Sequence, residues 1–127
     1  MNEEFWTRPI LRVRDVTGSI TYYCEKLGFK KRWEHGRDGQ LIIAEVGRSG
    51  IDVILDCDSV IPRAATPSVL SLSLHKPETL GDLFRELTER GARIVAPPFE
   101  VVWQKDTYQM DVADLDGNLL VFWGSKP

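Results

Sequence analysis

Several features that would point to a function directly are missing from this sequence of 127 residues. No apolar run approaches the roughly 18 residues of a membrane-spanning helix, so we expect no membrane partner. Two cysteines, Cys24 and Cys57, are too few for a disulfide framework. The N-terminus, Met-Asn-Glu-Glu-Phe-Trp, lacks the basic start and the apolar stretch of a signal peptide. We therefore expect a cytoplasmic protein.

Positive charge and phosphate-binding motifs are also scarce. The chain has 16 Lys and Arg against 19 Asp and Glu, which gives a net charge of −3. Proteins that bind nucleic acid carry clustered Lys and Arg, so we expect no nucleic-acid partner. The segment Gly36-Arg37-Asp38-Gly39 is typical of a tight turn and not of a nucleotide-binding loop. Neither cysteine has a histidine partner visible in the sequence, as a catalytic nucleophile would require.

What the sequence does contain is an internal repeat with a period of about sixty residues. Each copy has a short alternating strand, a helix with apolar residues at i, i+3, i+4 and i+7, and a closing glycine. In the first copy these helix positions are Ile20, Tyr23, Cys24 and Leu27, closed by Gly28. In the second copy they are Leu80, Leu83, Phe84 and Leu87, closed by Gly91.

The repeat predicts an α+β fold of tandem βαβββ modules, in which a curved mixed sheet surrounds a cleft and the helices lie outside. The modules span about 6–57 and 68–124 of a single domain and are joined by a linker at 58–67. In the first module we predict strands at 8–14, 40–46 and 51–56. In the second we predict strands at 68–74, 93–95, 108–112 and 119–123, with Pro97-Pro98 ending the short strand.

Three separated motifs in this order resemble the vicinal oxygen chelate superfamily, which includes glyoxalase, the bleomycin resistance proteins and the extradiol dioxygenases. The motifs are Leu11-Arg12-Val13-Arg14-Asp15, Tyr22-Tyr23 with Leu27-Gly28-Phe29, and Asp114-Leu115-Asp116-Gly117-Asn118-Leu119-Leu120. The last one is similar to the family's Asp-Pro-Asp-Gly-Asn turn, with Leu115 in place of the proline. Several chemistries share this fold, so the resemblance alone does not fix the function.

The metal-dependent members of that superfamily use four ligand positions. The resemblance implies that these fall near Arg8 or Ile10, Ile54, Val69 and Val121. None of these side chains offers a lone pair to a metal at neutral pH. The only two histidines are His35, in a predicted turn, and His75, after a strand. We therefore expect no metal, no other cofactor and no catalysis. A glyoxalase-like or dioxygenase-like enzyme with ligands in another register stays open as the alternative.

Strand alternation predicts which side chains line the cleft. Aromatic, carboxylate and amide groups predominate among them, and these suit a planar, cationic ligand. The predicted ligand-binding residues are Trp103, Trp33, Phe99, Tyr108, Asp52, Asp56, Asp111, Gln109 and Trp123. The alternatives are that the aromatics pack in the core or in a dimer interface, and that Asp52 and Asp56 pair with Arg8 or Arg12.

The resemblance is closest in character to the bleomycin resistance proteins, which lack the metal ligands, form homodimers and hold the drug in crevices at the interface. The sequence departs from them at Lys105-Asp106, where a Trp-Gly pair often stands. We expect a homodimer that sequesters a small molecule, an aromatic and cationic antibiotic of the bleomycin kind, and so acts in antibiotic resistance. An interaction module whose cleft is filled by its own side chains is a third possibility.

Overall fold

The computed structural model describes residues 3–57 and 66–127, so most of the predicted linker lies outside the described residues. The first module consists of β1 (Ile10–Arg12), α1 (Val16–Leu27), β2 (Lys30–Arg37), β3 (Gln40–Arg48) and β4 (Ile51–Asp56). The second consists of β5 (Val69–Ser73), a 3-10 turn (Pro77–Thr79), α2 (Leu80–Arg90), β6 (Arg93–Glu100), β7 (Tyr108–Ala113) and β8 (Leu119–Gly124).

The eight strands form two four-stranded mixed sheets with the same topology. Sheet A has the order β1-β4-β3-β2, and sheet B has the order β5-β8-β7-β6. In each sheet the first strand pairs in parallel with the last, and the other pairs are antiparallel. The predicted α+β fold of two βαβββ modules is confirmed, with one sheet for each module.

Both helices end at the glycines that close the repeated pattern in the sequence. Gly28 and Gly91 follow α1 and α2 with φ angles of 74° and 83°, a left-handed conformation that favours glycine. Pro77 opens the 3-10 turn that leads into α2, where its missing N–H costs no helical hydrogen bond. No helix among the described residues is long and apolar enough to cross a membrane.

The two outer strands, β2 and β6, differ from our prediction. We expected Pro97 and Pro98 to end the strand that begins at Arg93, but β6 continues through them to Glu100. A proline is tolerated there because β6 is an edge strand that pairs only with β7, and the pairing register shifts between Ala96 and Phe99. Every residue of β2 is exposed, so this strand shows no burial alternation that a sequence pattern could reveal.

Both modules contribute to a single apolar core beside the helices. Leu11, Val53 and Leu55 of sheet A enter it together with Leu120 and Phe122 of sheet B. Leu72 of β5, and Leu74 just after this strand, are only partly buried against this core. Cys24, which we expected to be buried by its helical phase, is also only half-buried.

The Asp114–Asn118 turn joins the second module to the first. The buried Asp114 carboxylate accepts hydrogen bonds from the backbone N–H groups of Asp116 (2.8 Å) and Asn118 (2.9 Å) and from the Tyr23 hydroxyl of α1 (2.9 Å). The Asn118 amide donates to the Arg12 carbonyl at 3.1 Å. Burial, with the nearby Asp114 carboxylate, raises the pKa of Tyr23 well above its ordinary value. Its hydroxyl therefore stays a donor at neutral pH, and the motif fixes α1 against sheet B.

Candidate functional site

Each sheet has one face that turns away from the helices, which we call its open face. On β1, Leu11 is fully buried in the core whereas its neighbours Ile10 and Arg12 are exposed. Ile54 and Val121 are buried but are not part of the core cluster, as expected for residues in the middle of the open faces. The alternation predicted from the sequence therefore assigns side chains to these faces.

The open face of sheet B brings together four of the predicted residues in two cross-strand rows. Strand register places Phe99, Gln109 and Trp123 in one row, next to Ser73. The adjoining row contains Asp111 and Val121 beside Ser71. Side chains that lie directly opposite each other on one face are in contact range. The Gln109 amide donates to the Asp111 carboxylate at 2.8 Å, and the Trp123 indole N–H donates to the Ser71 hydroxyl at 2.7 Å.

Trp103 extends this face from the loop between β6 and β7. Its ring lies edge-on to the Trp123 ring, with a centroid distance of 5.8 Å and an interplanar angle of 69°. The loop is closed by a hydrogen bond from the Val101 N–H to the Thr107 carbonyl. Trp103 remains 66% exposed, so most of its ring is available to a ligand. The paired indoles form an aromatic wall beside the Gln109–Asp111 pair.

The open face of sheet A holds three more predicted residues, Trp33, Asp52 and Asp56. Register places Trp33 beside Glu45, which is followed by Ile54 and Ile10 across the sheet. Asp56 lies next to Arg12 on the neighbouring strand. Asp52 is 3.6 Å from the Arg32 guanidinium on the same face. The partner of Asp52 is thus Arg32, and neither Arg8 nor Arg12 as the alternative interpretation proposed.

Glu45 is a carboxylate on this face that sequence reasoning missed. It is only 8% exposed, in the middle of sheet A, and it pairs with Arg8 at 3.1 Å. The sequence could have revealed it, because Glu45 lies between the core residues Ala44 and Val46 on one strand. Strand alternation then places the Glu45 side chain on the opposite face. The three carboxylates on the open face of sheet A, those of Glu45, Asp52 and Asp56, therefore each have an arginine nearby, Arg8, Arg32 or Arg12.

Tyr108 is the predicted residue that the structure separates from the others. It pairs with Gly124 on β8 and Glu100 on β6, one position out of phase with Gln109, and it packs against the core. Its ring thus lies on the helix side of sheet B, away from Trp103 and Trp123. Alternation along β7 explains this placement, because Tyr108 and Gln109 are consecutive and must face opposite sides.

The residues at the superfamily's metal-ligand positions do not fit a metal. Ile10 and Ile54 are register partners on sheet A, and on sheet B Val121 lies beside Ser71. Hydrocarbon side chains supply no donor atom for a divalent cation. In the parts of the chain that the structure describes, no group of three or more His, Cys, Asp or Glu side chains could hold a metal ion. We therefore derive no chemical step through a metal.

A groove of about 1070 Å³ lies elsewhere, between the two modules, which we call the intermodule groove. It is lined by β5 and α2 on one side and by the end of α1 and the β3–β4 turn on the other. Of the nine predicted ligand-binding residues, Asp52 alone borders it. The intermodule groove thus meets the open faces of the sheets only at their margin, at Asp52, Ser71 and Ser73, and it does not contain the predicted aromatic residues.

Solved structures similar to this chain share its architecture at low sequence identity. TioX from Micromonospora sp. ML1 matches with a TM-score of 0.76 and 20% identity, over 94% of this chain and 98% of the other. A glyoxalase/bleomycin resistance protein/dioxygenase from Nocardioides matches with a TM-score of 0.72 and 17% identity, over 98% and 85%. Another protein of that description, from Alicyclobacillus acidocaldarius, matches with a TM-score of 0.73 and 15% identity, over 99% and 95%.

No curated protein matches the sequence significantly. One protein family does: the sequence model of the Glyoxalase/Bleomycin resistance protein/Dioxygenase superfamily matches residues 7–122, which is nearly the whole chain. The matched range includes the first module, the second module up to Phe122 in β8, and all three of the motifs that suggested the resemblance. The chain therefore belongs to the Glyoxalase/Bleomycin resistance protein/Dioxygenase superfamily.

Proposed function

We propose that this protein binds a small molecule without chemical conversion and sequesters an aromatic, cationic antibiotic of the bleomycin kind. The observation that supports this most directly is the open face of sheet B, where the Trp103–Trp123 pair adjoins Gln109 and Asp111. Indole faces attract flat aromatic and cationic groups, and the amide and the carboxylate supply oriented hydrogen bonds.

Asp111 is the best-suited carboxylate for a cationic ligand. Asp52 and Glu45 already have arginine partners, and Asp56 has Arg12 beside it. Asp111 is half-buried on sheet B and accepts a hydrogen bond from the Gln109 amide. Because that amide is neutral, it does not compensate the negative charge of Asp111. A ligand cation that reaches Asp111 would gain a charge-assisted hydrogen bond beside the indole wall.

The proposed site is complete only in a homodimer. Trp33, Asp52 and Asp56 lie on sheet A, whereas Trp103, Trp123, Gln109 and Asp111 lie on sheet B. In the proposed dimer, the open face of sheet A from one copy and that of sheet B from the other enclose the ligand together. Exposed Trp33, Phe99 and Trp103 side chains then become buried, which favours association.

Titration with bleomycin, followed by tryptophan fluorescence and by calorimetry, tests the proposal. We expect quenching and a binding heat at micromolar protein, because two indoles border the site. A panel of intercalating and peptide antibiotics measured in the same way would identify the preferred drug. Neither quenching nor heat with any member of the panel would refute antibiotic sequestration.

Elemental analysis separates this proposal from a metal-dependent enzyme of the same superfamily. After purification without chelators, we expect no stoichiometric Zn, Ni, Mn or Fe, because Ile10, Ile54 and Val121 offer no donor atoms. One equivalent of bound metal for each chain, lost together with a measurable activity on dialysis against a chelator, would favour the enzyme.

A further inference from the structure

The contacts between the modules are unequal, although the sequence repeats. On one side, Tyr22 and Tyr23 of α1 reach the second module, where their hydroxyls bond the Ala113 carbonyl (2.6 Å) and the Asp114 carboxylate (2.9 Å). With the sixty-residue offset of the repeat, the corresponding positions of α2 are Asp82 and Leu83. Both of these residues border the intermodule groove. The groove therefore lies where the second copy of the repeat lacks the two tyrosines of the first.

The interior wall of the groove is apolar. Leu72 of β5 and Leu74 just after this strand point toward the helices but remain half-buried, whereas Leu120 on the neighbouring strand β8 is fully buried. Leu83, Leu87 and Phe122 continue the wall. Apolar surface that stays in contact with water is unfavourable, so an apolar body that displaces this water would bind with a favourable free energy.

The charges around the opening favour an anion. The three acidic residues there are all paired: Glu86 with Arg48 at 2.7 Å, Asp52 with Arg32 at 3.6 Å, and Asp82 with Arg85 at 3.1 Å. His75 and Lys76, exposed just beyond the end of β5, also border the groove. Within residues 3–57 and 66–127, neither of these two side chains has an ion-pair partner.

We propose that the intermodule groove binds an amphiphilic anion, with its apolar body against Leu72, Leu74 and Leu83 and its anionic head group at Lys76. This site is separate from the one proposed on the open faces of the sheets, and it requires neither Trp103 nor Trp123. The proposal follows from charge complementarity at the opening together with an uncovered apolar wall.

Calorimetric titration with dodecanoate tests the proposal, with dodecyltrimethylammonium as the cationic probe of equal chain length. We expect one dodecanoate per chain in the micromolar range, and dodecyltrimethylammonium weaker by about tenfold or more. Lys76→Glu should weaken dodecanoate, and Lys30→Glu should not, because Lys30 is exposed on β2 outside the groove. Trp103→Ala should leave dodecanoate unchanged while it weakens the antibiotic.

Leu83→Tyr tests the position of the apolar body, because it restores on α2 the aromatic residue that α1 carries at Tyr23. We expect it to fill the groove and to lower dodecanoate affinity by about tenfold or more. If this variant does not fold, the comparison of Lys76→Glu with Lys30→Glu decides the question alone. Undetectable dodecanoate binding, equal affinity for both probes, or equal effects of the two lysine variants would each overturn the proposal. If a second copy of the chain covers the groove, dodecanoate binding will be undetectable, and the proposal fails.

Discussion

Trp103 and Asp56 offer a ligand different kinds of interaction, and mutation can separate them. Truncating a stacking aromatic in a binding site costs on the order of 2 kcal/mol, or roughly thirtyfold in dissociation constant. Removing a carboxylate that already has an arginine neighbour should cost less, and that cost should shrink as salt is raised. We therefore expect Trp103→Ala to weaken bleomycin binding more than Asp56→Asn, with strong salt dependence only for the latter. Calorimetry at two ionic strengths measures both effects.

Val102→Ala is the matched control for Trp103→Ala, because Val102 precedes it in the same loop and is 98% exposed. Its affinity should equal that of the wild type. Trp33→Ala should have an effect between those of Trp103→Ala and Asp56→Asn, since Trp33 borders the open face of sheet A and is 38% exposed. If Trp103→Ala and Val102→Ala bind equally well, the β6–β7 loop is not part of the site.

Asp114 should contribute more to stability than its hydrogen-bond partner Tyr23. Tyr23→Phe removes one donor from the carboxylate, at a cost of about 1–2 kcal/mol. Asp114→Ala leaves the Tyr23 hydroxyl, the Asp116 N–H and the Asn118 N–H without their acceptor, so we expect about 3 kcal/mol or more. Urea denaturation at pH 7 measures both free energies of unfolding. Equal values for the two variants would show that the turn holds without the carboxylate.

Sequence patterns predicted the positions of single residues only where strand alternation determined them. Gln109, Asp111 and Trp123 were assigned to one face because they alternate with the core residues Met110, Val112 and Phe122. The ion pairs of Asp52 with Arg32 and Glu45 with Arg8 depend on side chains up to 37 residues apart in the sequence. Such pairs follow from strand order and register, which local patterns do not determine.

Alanine substitutions at the two helix-ending glycines, Gly28 and Gly91, can be compared to test the contact between α2 and the first module. A Cβ at Gly28 would be 2.7 Å from Arg48 Nη1 and 3.0 Å from Glu86 Oε2, whereas at Gly91 the nearest atom is Lys26 Nζ at 3.4 Å. Both positions have a positive φ, so each alanine costs about 1 kcal/mol of backbone strain. Gly28→Ala must also displace the Arg48–Glu86 pair, so we expect a larger loss for it in urea denaturation. Equal losses would mean that this pair adjusts without cost.

Glu86 on α2 should make the stability of the protein depend on pH in the acidic range. Hydrogen bonds from Arg48, and then from Arg90, lower the pKa of Glu86 below its ordinary 4.5. The native protein therefore gains stability from the ionised carboxylate above pH 4.5, and it loses that gain as pH falls through the lowered pKa. The carboxylate is about one-third exposed, which keeps the effect small.

Glu86→Gln removes this contribution, and Glu89→Gln, exposed on the same helix, is its control. We expect the difference in unfolding free energy between wild type and Glu86→Gln to be larger at pH 7 than at pH 3. Glu89→Gln should show the same difference at both pH values. Parallel pH profiles for wild type and Glu86→Gln would show that the ion pairs with Arg48 and Arg90 do not stabilise the native state.

Helices and strands that contribute to the core were predicted from the sequence better than exposed strands. Both helices carry an apolar face that repeats every three to four residues, and their bounds followed from it. Along the inner strands, core residues such as Ala44, Val46, Val53 and Leu55 alternate with residues that are not part of the core cluster. Strand β2 has no buried residue and β6 contains two prolines, so neither shows the local pattern of a complete strand, and their pairing depends on the neighbouring strand. This dependence explains why β2 was not predicted as a strand and why β6 was predicted too short.

We expect the whole molecule to be a homodimer, because the open faces leave Trp33, Phe99, Trp103 and Val69 exposed in a single chain. Light scattering coupled to size exclusion at tens of micromolar should give twice the chain mass of 14.4 kDa. An arginine in the middle of an open face, as in Val121→Arg, should favour the monomer because it would bury an unpaired charge. A wild-type mass of one chain would exclude the shared site, and the antibiotic would then have to bind the sheet B face alone.

Sequence reasoning predicted the repeat but not the inequality between the two contacts that join the modules. The repeat follows from short-range periodicity, whereas the groove depends on which side chains of α2 meet the β3–β4 turn. Comparing Tyr22 and Tyr23 with Asp82 and Leu83 would have revealed the smaller side-chain volume, but only once Tyr22 and Tyr23 were known to contact the second module.

The outer strands determine what kind of assembly the protein can form. The outer edge of sheet A is β2, with Lys30, Lys31, Arg32 and Arg37 along its length, and the outer edge of sheet B is β6, interrupted by Pro97 and Pro98. Lysine-rich and proline-containing edges repel the addition of further strands. Association through these two edges is therefore disfavoured, which is consistent with pairing through the open faces in the homodimer that we propose.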